Sequence, residues 1–393
     1  MKYCNNCLMP DTRPHIIFDE DGICQACKNY EIQKTVDWNS RLDELRALCD
    51  KYRRTDGYYD CLIAVSGQKD STYLTHMMKE RMNMNPLLVC VTDPCSHTEA
   101  GTRNLKNIID TFNCDMFVFH LSTDLFRRVT KIGFEELGEP LRFIEAVIYT
   151  MPYKLAVSFN IPLVVWGENA SYLYGTSTVD THNVEKFIFA GHSSAAEKLS
   201  EQIKDFWLER GISEQEVNSV ILPTTGEIER VKPYPIFMSY YSQWDDEYNS
   251  EFSKRYGFED LHHEYRRENC VEDYTQMDGV AYMMHIWTKY PKFGFQRATD
   301  LVCRWIRKGK ITKEEGLKLI MKYDHRMDQK MLDDFNNFLG YTPRQFWGIL
   351  EKFWNREIFE KVDGIWRLKN PLLKYENPLS LYLPTWVEPK ITD

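Results

Sequence analysis

The stretch "YDCLIAVSGQKDST", residues 59–72, decides how this chain is read. Seven mostly apolar residues (59–65) read as a buried strand, and 70–83 read as a helix. Between them lie Ser66, Gly67, Gln68, Lys69, Asp70, Ser71 and Thr72. A loop that leaves a strand and opens a helix points backbone N–H groups and a helix N-terminus at one spot, which is an anion site. Ser66, Ser71 and Thr72 add hydroxyl donors, and Lys69 adds a cation. Asp70 has two readings, as an N-cap or as a ligand for Mg²⁺. The G-x-x-x-x-G-K-[ST] phosphate loop is absent. Taken alone, the seven residues also fit an ordinary strand-to-helix turn. Gln68 leaves three readings open: its side chain crowds a bound phosphate, demands a φ that glutamine disfavours, or points outward harmlessly.

Working outward, the same alternation repeats. Strands are predicted at 86–93, 115–121 and 161–169, with helices at 98–112, 123–137 and 142–159. Short apolar strands alternating with helices predict an α/β fold with a doubly wound parallel sheet. Ahead of it, 37–53 carries Leu42, Leu45 and Leu48 at helical spacing. Residues 170–230 are polar and show no clear strand, which reads as an inserted lid or substrate-facing region. From about 241 the pattern is almost entirely helical, with amphipathic segments at 279–287, 297–309 and 312–323. Thr312 and Glu315 fit a capping box. The expected division is 1–35, a small metal-stapled knuckle; 36–240, the α/β domain with its insert; and 241–393, a helical C-terminal region.

Hydrophobic residues make up 43% of the 393-residue chain and charged residues 27%, as in ordinary globular proteins. The net charge of −9 argues against a nucleic-acid partner, which needs clustered cations. No apolar run reaches the ~18 residues of a membrane helix, and "MKYCNNCLMP" lacks the apolar core of a secretory signal. A cytoplasmic location is expected.

Four of the 11 cysteines form a pattern. Cys4 and Cys7 make one C-x2-C pair and Cys24 and Cys27 another. Such pairs wrap four thiolates around one ion, and Zn²⁺ suits them because it is redox-inert and tetrahedral. Four protein ligands leave no open position, so the expected role is structural. Iron–sulfur or redox chemistry and nucleic-acid reading are the lesser alternatives. The other seven cysteines are scattered and read as core thiols.

The 66–72 loop resembles the PP-loop, S-G-G-x-D-S in its usual form, with Gln68 in place of the second glycine. PP-loop enzymes cleave ATP between the α and β phosphates and adenylate an oxygen. The resemblance implies ATP and Mg²⁺ as cofactors, held by Ser66, Gly67, Gln68, Lys69, Asp70, Ser71 and Thr72. It places the adenine beside "VCVTD" (89–93), hence near Thr92. It brings "VVWGENA", with Gly167, Glu168 and Asn169, to the metal and phosphates. In "YPKFGFQRATD", Lys292, Gly294, Arg297 and Asp300 resemble the pyrophosphate-holding segment of asparagine-synthetase-type members. On their own, Lys292 and Arg297 read equally as a solvated helix start. Lys69, Asp70, Glu168, Lys292 and Arg297 are the candidate catalytic residues.

The whole chain resembles the N-acetyl sugar amidotransferases, the WbpG/PseA-like family. The resemblance starts in "MKYCNNCLMPDTRPHIIFDEDGICQACKNYE". It continues through the PP-loop, "IPLVVWGENA" and "KFGFQRATDLVCRWIRKGKITKEEGLKLI". It implies conversion of an acetamido group on a nonulosonic acid or nucleotide sugar into an acetamidino group, for O-antigen or flagellin glycans. No cysteine has a glutaminase setting, so the resemblance implies ammonia from a separate HisH-like glutaminase and HisF-like partner. No membrane partner is expected, and a homodimer is left open. Tyr172, Tyr174, Gly175, Thr176, His182 and Asn183 suit a sugar site and equally an exposed loop. "LHHEY" superficially offers His262, His263 and Glu264 to a metal. Two other functions compete: a tRNA-modifying PP-loop enzyme, and a zinc scaffold whose loop no longer binds ATP.

Overall fold

The 59–65 run forms strand β1 (Cys61–Ala64) at the centre of a five-stranded parallel sheet. In this computed structural model residues 1–169, 173–176, 202–277 and 279–369 are described. The other strands are β2 (Pro86–Thr92), β3 (Met116–His120), β4 (Leu163–Trp166) and β5 (Tyr234–Phe237), in the order β3-β2-β1-β4-β5. Ile63 pairs with Leu88 on one side and Val165 on the other. The chain therefore winds outward from β1 in one direction, then returns to wind the other way from β4. The gap between β1 and β4 is the topological switch point, where a crevice opens at the strands' carboxyl ends.

Helices cover both faces, which is why the strands read as nearly continuous apolar runs. Cys61, Ile63, Leu88 and Val165 pack under helices α2 (Trp38–Tyr52), α3 (Lys69–His76) and α4 (Glu99–Phe112). Leu62, Val89 and Val164 face α5 (Thr123–Ile132) and α6 (Arg142–Ser158). Local signals set the helix starts. Asp37 caps α2, Thr98 caps α4 and Ser122 caps α5. The α3 helix runs on through a π-helical turn, Met77–Arg81.

A third core lies under the C-terminal helices and joins them to the knuckle. Cys4, Cys7, Cys24 and Cys27 share it with Val302, Cys303 and Ile306 of the helix Arg297–Arg307. The Thr312–Glu315 capping box forms as read.

Three features differ from the sequence reading. Strand β5 was not predicted: it has four residues, contains Pro235, and pairs only with β4, so it tolerates a residue that central strands exclude. The C-terminal region is almost entirely helical, as read, but it also holds a hairpin that the reading did not specify, β6 (Phe359–Val362) with β7 (Ile365–Leu368). Its turn, Asp363-Gly364, takes φ of 53° and 80°, as an Asp-Gly hairpin requires. Finally, the knuckle contains a helix, α1 (Gln25–Gln33), which begins between its last two cysteines. Within the polar insert, Ser213 and Thr224 start short helices with capping boxes. Tyr172, His182 and Asn183 lie outside the described residues. Among the described residues no helix is long and apolar enough to cross a membrane.

Candidate active site

The loop after β1 is shaped by Gly67, not by position 68. Gly67 has φ +85°, and a Cβ there would lie 3.0 Å from the backbone of Leu105 on α4. Gln68 is extended, with φ −80° and ψ 176°, a conformation open to any residue. Its side chain turns aside, and Oε1 accepts the N–H of Gln276 at 2.8 Å. The concern over Gln68 is thus resolved on conformation. The Ser71 hydroxyl accepts the N–H of Ser66 at 2.8 Å, which tightens the loop. Substituting Gly67→Ala combines a disfavoured φ with a backbone clash. The expected loss is about 2 kcal/mol or more, read as a lower urea midpoint.

Lys69 opens α3 and is 1% exposed. Its ammonium pairs with Asp70 and stands 3.8 Å from Asp246. Asp246 in turn pairs with Arg304, whose Nη2 donates to the Tyr174 hydroxyl at 2.9 Å. Burial pushes the Asp246 carboxyl up, but Arg304, Lys69 and Arg297 outweigh it and hold it well below the usual range. Glu168, at the end of β4, moves the opposite way. Burial raises it, with Asp246 and Asp70 nearby, against the pull of Arg304 and Lys69. Asp70 does not cap the helix. Its Oδ1 accepts from Asn249 at 2.8 Å.

Of these groups Asp70 and Glu168 border a cavity of about 320 Å³ at the switch point, and Lys69, Asp246 and Arg304 lie behind its wall. Ser66, Gln68, Asp70 and Ser71 line one side, and Gly167 and Glu168 the other. Val89, Val91 and Phe237 contribute apolar wall, while Tyr149, Gln276 and Tyr282 also line the space. Gly167 is needed for close approach, since a Cβ there would meet the Trp244 ring at 3.1 Å.

Other sequence candidates fall elsewhere. Thr92 is at the end of β2, but its hydroxyl is bonded to His120 on β3, 2.8 Å away. Lys292 pairs with Glu139 at 3.3 Å and does not line the cavity. One turn earlier, Lys289 reaches Asp300 at 3.3 Å, and it too lies outside the cavity lining. Burial, with Arg13 and Arg297 close by, pushes Lys289 down to about 7. Arg297 is buried and donates to the Thr275 hydroxyl at 2.8 Å. Gly294 ends the short helix Lys289–Phe293 with φ +77°. Tyr174 and Gly175 are packed on the knuckle rather than solvated. A Cβ on Gly175 would lie 2.4 Å from the Ala26 nitrogen. Thr176 is half-buried beside them. Glu264 accepts the N–H groups of Glu99 and Ala100 at 3.0 and 2.9 Å, capping α4, so "LHHEY" serves a helix end.

Sequence reasoning missed Asp246, Arg304, Gln276, Lys289 and Arg13. Arg13 belongs to the knuckle, yet it pairs with Asp300 and lies over the Tyr174 ring at 4.3 Å. Burial pushes it down to about 10. Its place in "MPDTRP" beside the cysteines was the available signal.

The four knuckle cysteines are buried, and their sulfurs all lie within 4.8 Å of one another. The pairs Cys4–Cys27, Cys7–Cys24 and Cys24–Cys27 stand at 3.8, 3.6 and 3.6 Å. Four sulfurs about 2.3 Å from one zinc form a tetrahedron with edges of about 3.8 Å. The set therefore fits a single Zn²⁺. A cuboidal iron–sulfur cluster, with an iron inside each thiolate, needs its thiolates farther apart. Backbone N–H groups of Asn6 and Cys24 donate to the Cys4 sulfur at 3.4 and 3.2 Å, and Arg307 donates to Cys7 at 3.4 Å. Such bonds favour thiolate. Among the described residues this is the one group of three or more such ligands.

The sheet order, with the 66–72 loop at its switch point, defines a doubly wound parallel α/β protein. Its C-terminal part has a named kin: residues 268–372 match the family described as "LPS biosynthesis protein WbpG-like, C-terminal domain". The chain is also 26% identical over 171 residues, 43% of its length, to the uncharacterized protein MJ1599 of Methanocaldococcus jannaschii. That match spans 60% of the relative. Among solved structures, the NH3-dependent NAD synthetase from Campylobacter jejuni is 14% identical. The match covers 50% of this chain and 96% of that one, with a TM-score of 0.29. The U34-tRNA thiolase NcsA from Methanococcus maripaludis, solved with a 4Fe–4S cluster, is 11% identical. It covers 79% of this chain and 87% of that one, with a TM-score of 0.28.

Proposed function

We propose that this protein is an ATP-dependent, AMP-forming amidotransferase that converts an acetamido group of a sugar into an acetamidino group. The carrying observation is the cavity in which the Ser66–Thr72 loop faces Gly167 and Glu168 across the switch point. The WbpG-like C-terminal domain supports a role in surface-glycan chemistry. ATP would be a substrate, with its phosphates on the loop N–H groups and hydroxyls, and with Lys69 and Arg297 adding positive charge from behind the cavity wall. Asp70 and Glu168 are the carboxylates suited to Mg²⁺.

The chemistry accounts for the arrangement. An amide carbon is a poor electrophile towards ammonia. Attack of the amide oxygen on the α-phosphorus expels pyrophosphate and leaves that carbon bearing AMP, a good leaving group. Ammonia adds to the carbon, loses a proton, and AMP departs with the former amide oxygen. The protein's task is positioning and charge stabilisation. Zinc would take no step, since four cysteines fill its coordination sphere. Instead, bound by Cys4, Cys7, Cys24 and Cys27, it would hold the segment that carries Arg13. Ammonia would come from a separate glutaminase, and the setting would be the cytoplasm. The sugar would be a nonulosonic acid or a nucleotide sugar.

The test supplies ATP, Mg²⁺ and ammonium with a panel of N-acetylated nonulosonic acids and nucleotide sugars. One sugar is expected to trigger AMP and pyrophosphate release and to exchange O for NH in its mass. ATP turnover across the panel without any change of sugar mass would sink the proposal.

A further inference from the structure

Gln68 stands where the usual loop has a glycine, and it makes a bond that no glycine can. Its Oε1 accepts the N–H of Gln276, 208 residues away in sequence. Position 68 belongs to the α/β domain and position 276 to the WbpG-like domain. The bond therefore ties the two across the mouth of the cavity, which both residues line.

The receiving segment is built to hold one shape. The carboxylate of Glu272 accepts the N–H groups of Tyr274 and Thr275 at 2.7 and 2.8 Å. Arg267, buried against Glu272, donates to the Thr275 carbonyl at 2.8 Å. Arg297 donates to the Thr275 hydroxyl. Beyond, the Thr98 hydroxyl donates to the Met277 carbonyl at 2.6 Å. Between these anchors Gln276 sits at φ +49°, a region that costs a non-glycine residue energy and persists only when surroundings enforce it. Its Oε1 is buried and has no hydrogen-bond partner among the described residues. Gln276 lines the cavity, and an unpaired acceptor on a lining residue is suited to a ligand's donor.

We propose that Gln68 is a positioning residue: it latches the phosphate loop to the 272–277 segment and so presents the Gln276 carboxamide to the group that is to be adenylated. The ligand class is a secondary amide, whose N–H meets the free acceptor while its oxygen faces the phosphates. The substrate part of this inference rests on the function proposed above; the latch itself does not.

Two readouts separate them. Hydrogen–deuterium exchange without ligand follows the Gln276 amide. In Gln68→Met, similar in length but without the acceptor, its protection is expected to fall about tenfold. Gln68→Glu, which keeps an acceptor, is expected to retain it, and so shows that the loss is not general unfolding. With the amide substrate, Gln68→Met and Gln68→Gly are expected to raise its KM about tenfold while the KM for ATP changes less than twofold. Unchanged protection in Gln68→Met overturns the latch. Lost protection with an unchanged amide KM overturns the role given to Gln276. Failure to find any amide substrate counts against the proposed function and leaves the exchange experiment to decide the latch.

Discussion

Lys69→Met is expected to reduce AMP formation by a factor of about 100 to 1,000, the usual consequence of deleting a preorganised charge at a reacting phosphate. The same change leaves Asp70 and Asp246 without their shared cation. Lys69 is fully enclosed, so breaking this buried pairing is expected to cost about 3–5 kcal/mol. Asp246 keeps Arg304, which is why the variant is expected to fold. The two effects are separable by running the AMP assay well below the variant's melting temperature. The wild-type network also carries a pH signature. Because the Asp246 carboxyl is held below its unfolded value, its stabilisation is present above the unfolded pKa and is lost as pH falls through the acid range. Lys69→Met is expected to flatten that acid dependence. A variant with wild-type activity and an unchanged acid limb contradicts the placement of Lys69.

Metal removal is expected to be comparably severe. Left to themselves the four thiols share protons unequally. Hydrogen bonds from Cys24 and Cys27 lower Cys4 to about 6 and lower Cys7, while Cys24 and Cys27 are raised. A bound Zn²⁺ would displace the remaining protons and cross-link residues 4–27. Binding of this kind contributes on the order of 10 kcal/mol in isolated zinc modules. The knuckle cysteines lie within the C-terminal core, so the loss spreads to the helix Arg297–Arg307. It also frees Arg13 from Asp300 beside Lys289 and Arg297. One zinc per chain is expected by elemental analysis. Cys24→Ser is expected to lose it, melt many degrees lower and lose most AMP formation. A zinc-free Cys24→Ser protein with normal melting and activity contradicts this account of the knuckle.

How much of this the sequence shows depends on range. Strands β1 to β4, their helices and the four cysteines are visible because each rests on local pattern: apolar runs, caps such as Thr312 with Glu315, and paired C-x2-C. The short edge strand β5 is hidden by Pro235 and by its four-residue length. The β6–β7 hairpin had a local signal in Asp363-Gly364 that was overshadowed by the helical segments before it. The position of the 66–72 loop and of 167–168 beside the cavity was legible because topology alone places them at the strand ends. Asp246, Arg304, Gln276 and Arg13 were not, since their roles exist only through contacts between distant segments. Lys289 and Lys292 show the limit within one segment. They stand three residues apart, and only packing decides that Lys289 meets Asp300 while Lys292 turns to Glu139. Gln68 is the opposite lesson. Motif comparison marks it only as a departure to be tolerated, whereas its extended backbone and its bond to Gln276 give it a place.

The central claim is that the amide oxygen is adenylated, and oxygen transfer tests it most directly. An N-acetylated sugar that supports AMP release would be prepared with heavy oxygen in its acetamido carbonyl and turned over with ATP, Mg²⁺ and ammonium. The account predicts that the heavy oxygen appears in the phosphate of AMP, with none in pyrophosphate and none left in the sugar's amidine. AMP without the label, or label retained in the sugar, contradicts it.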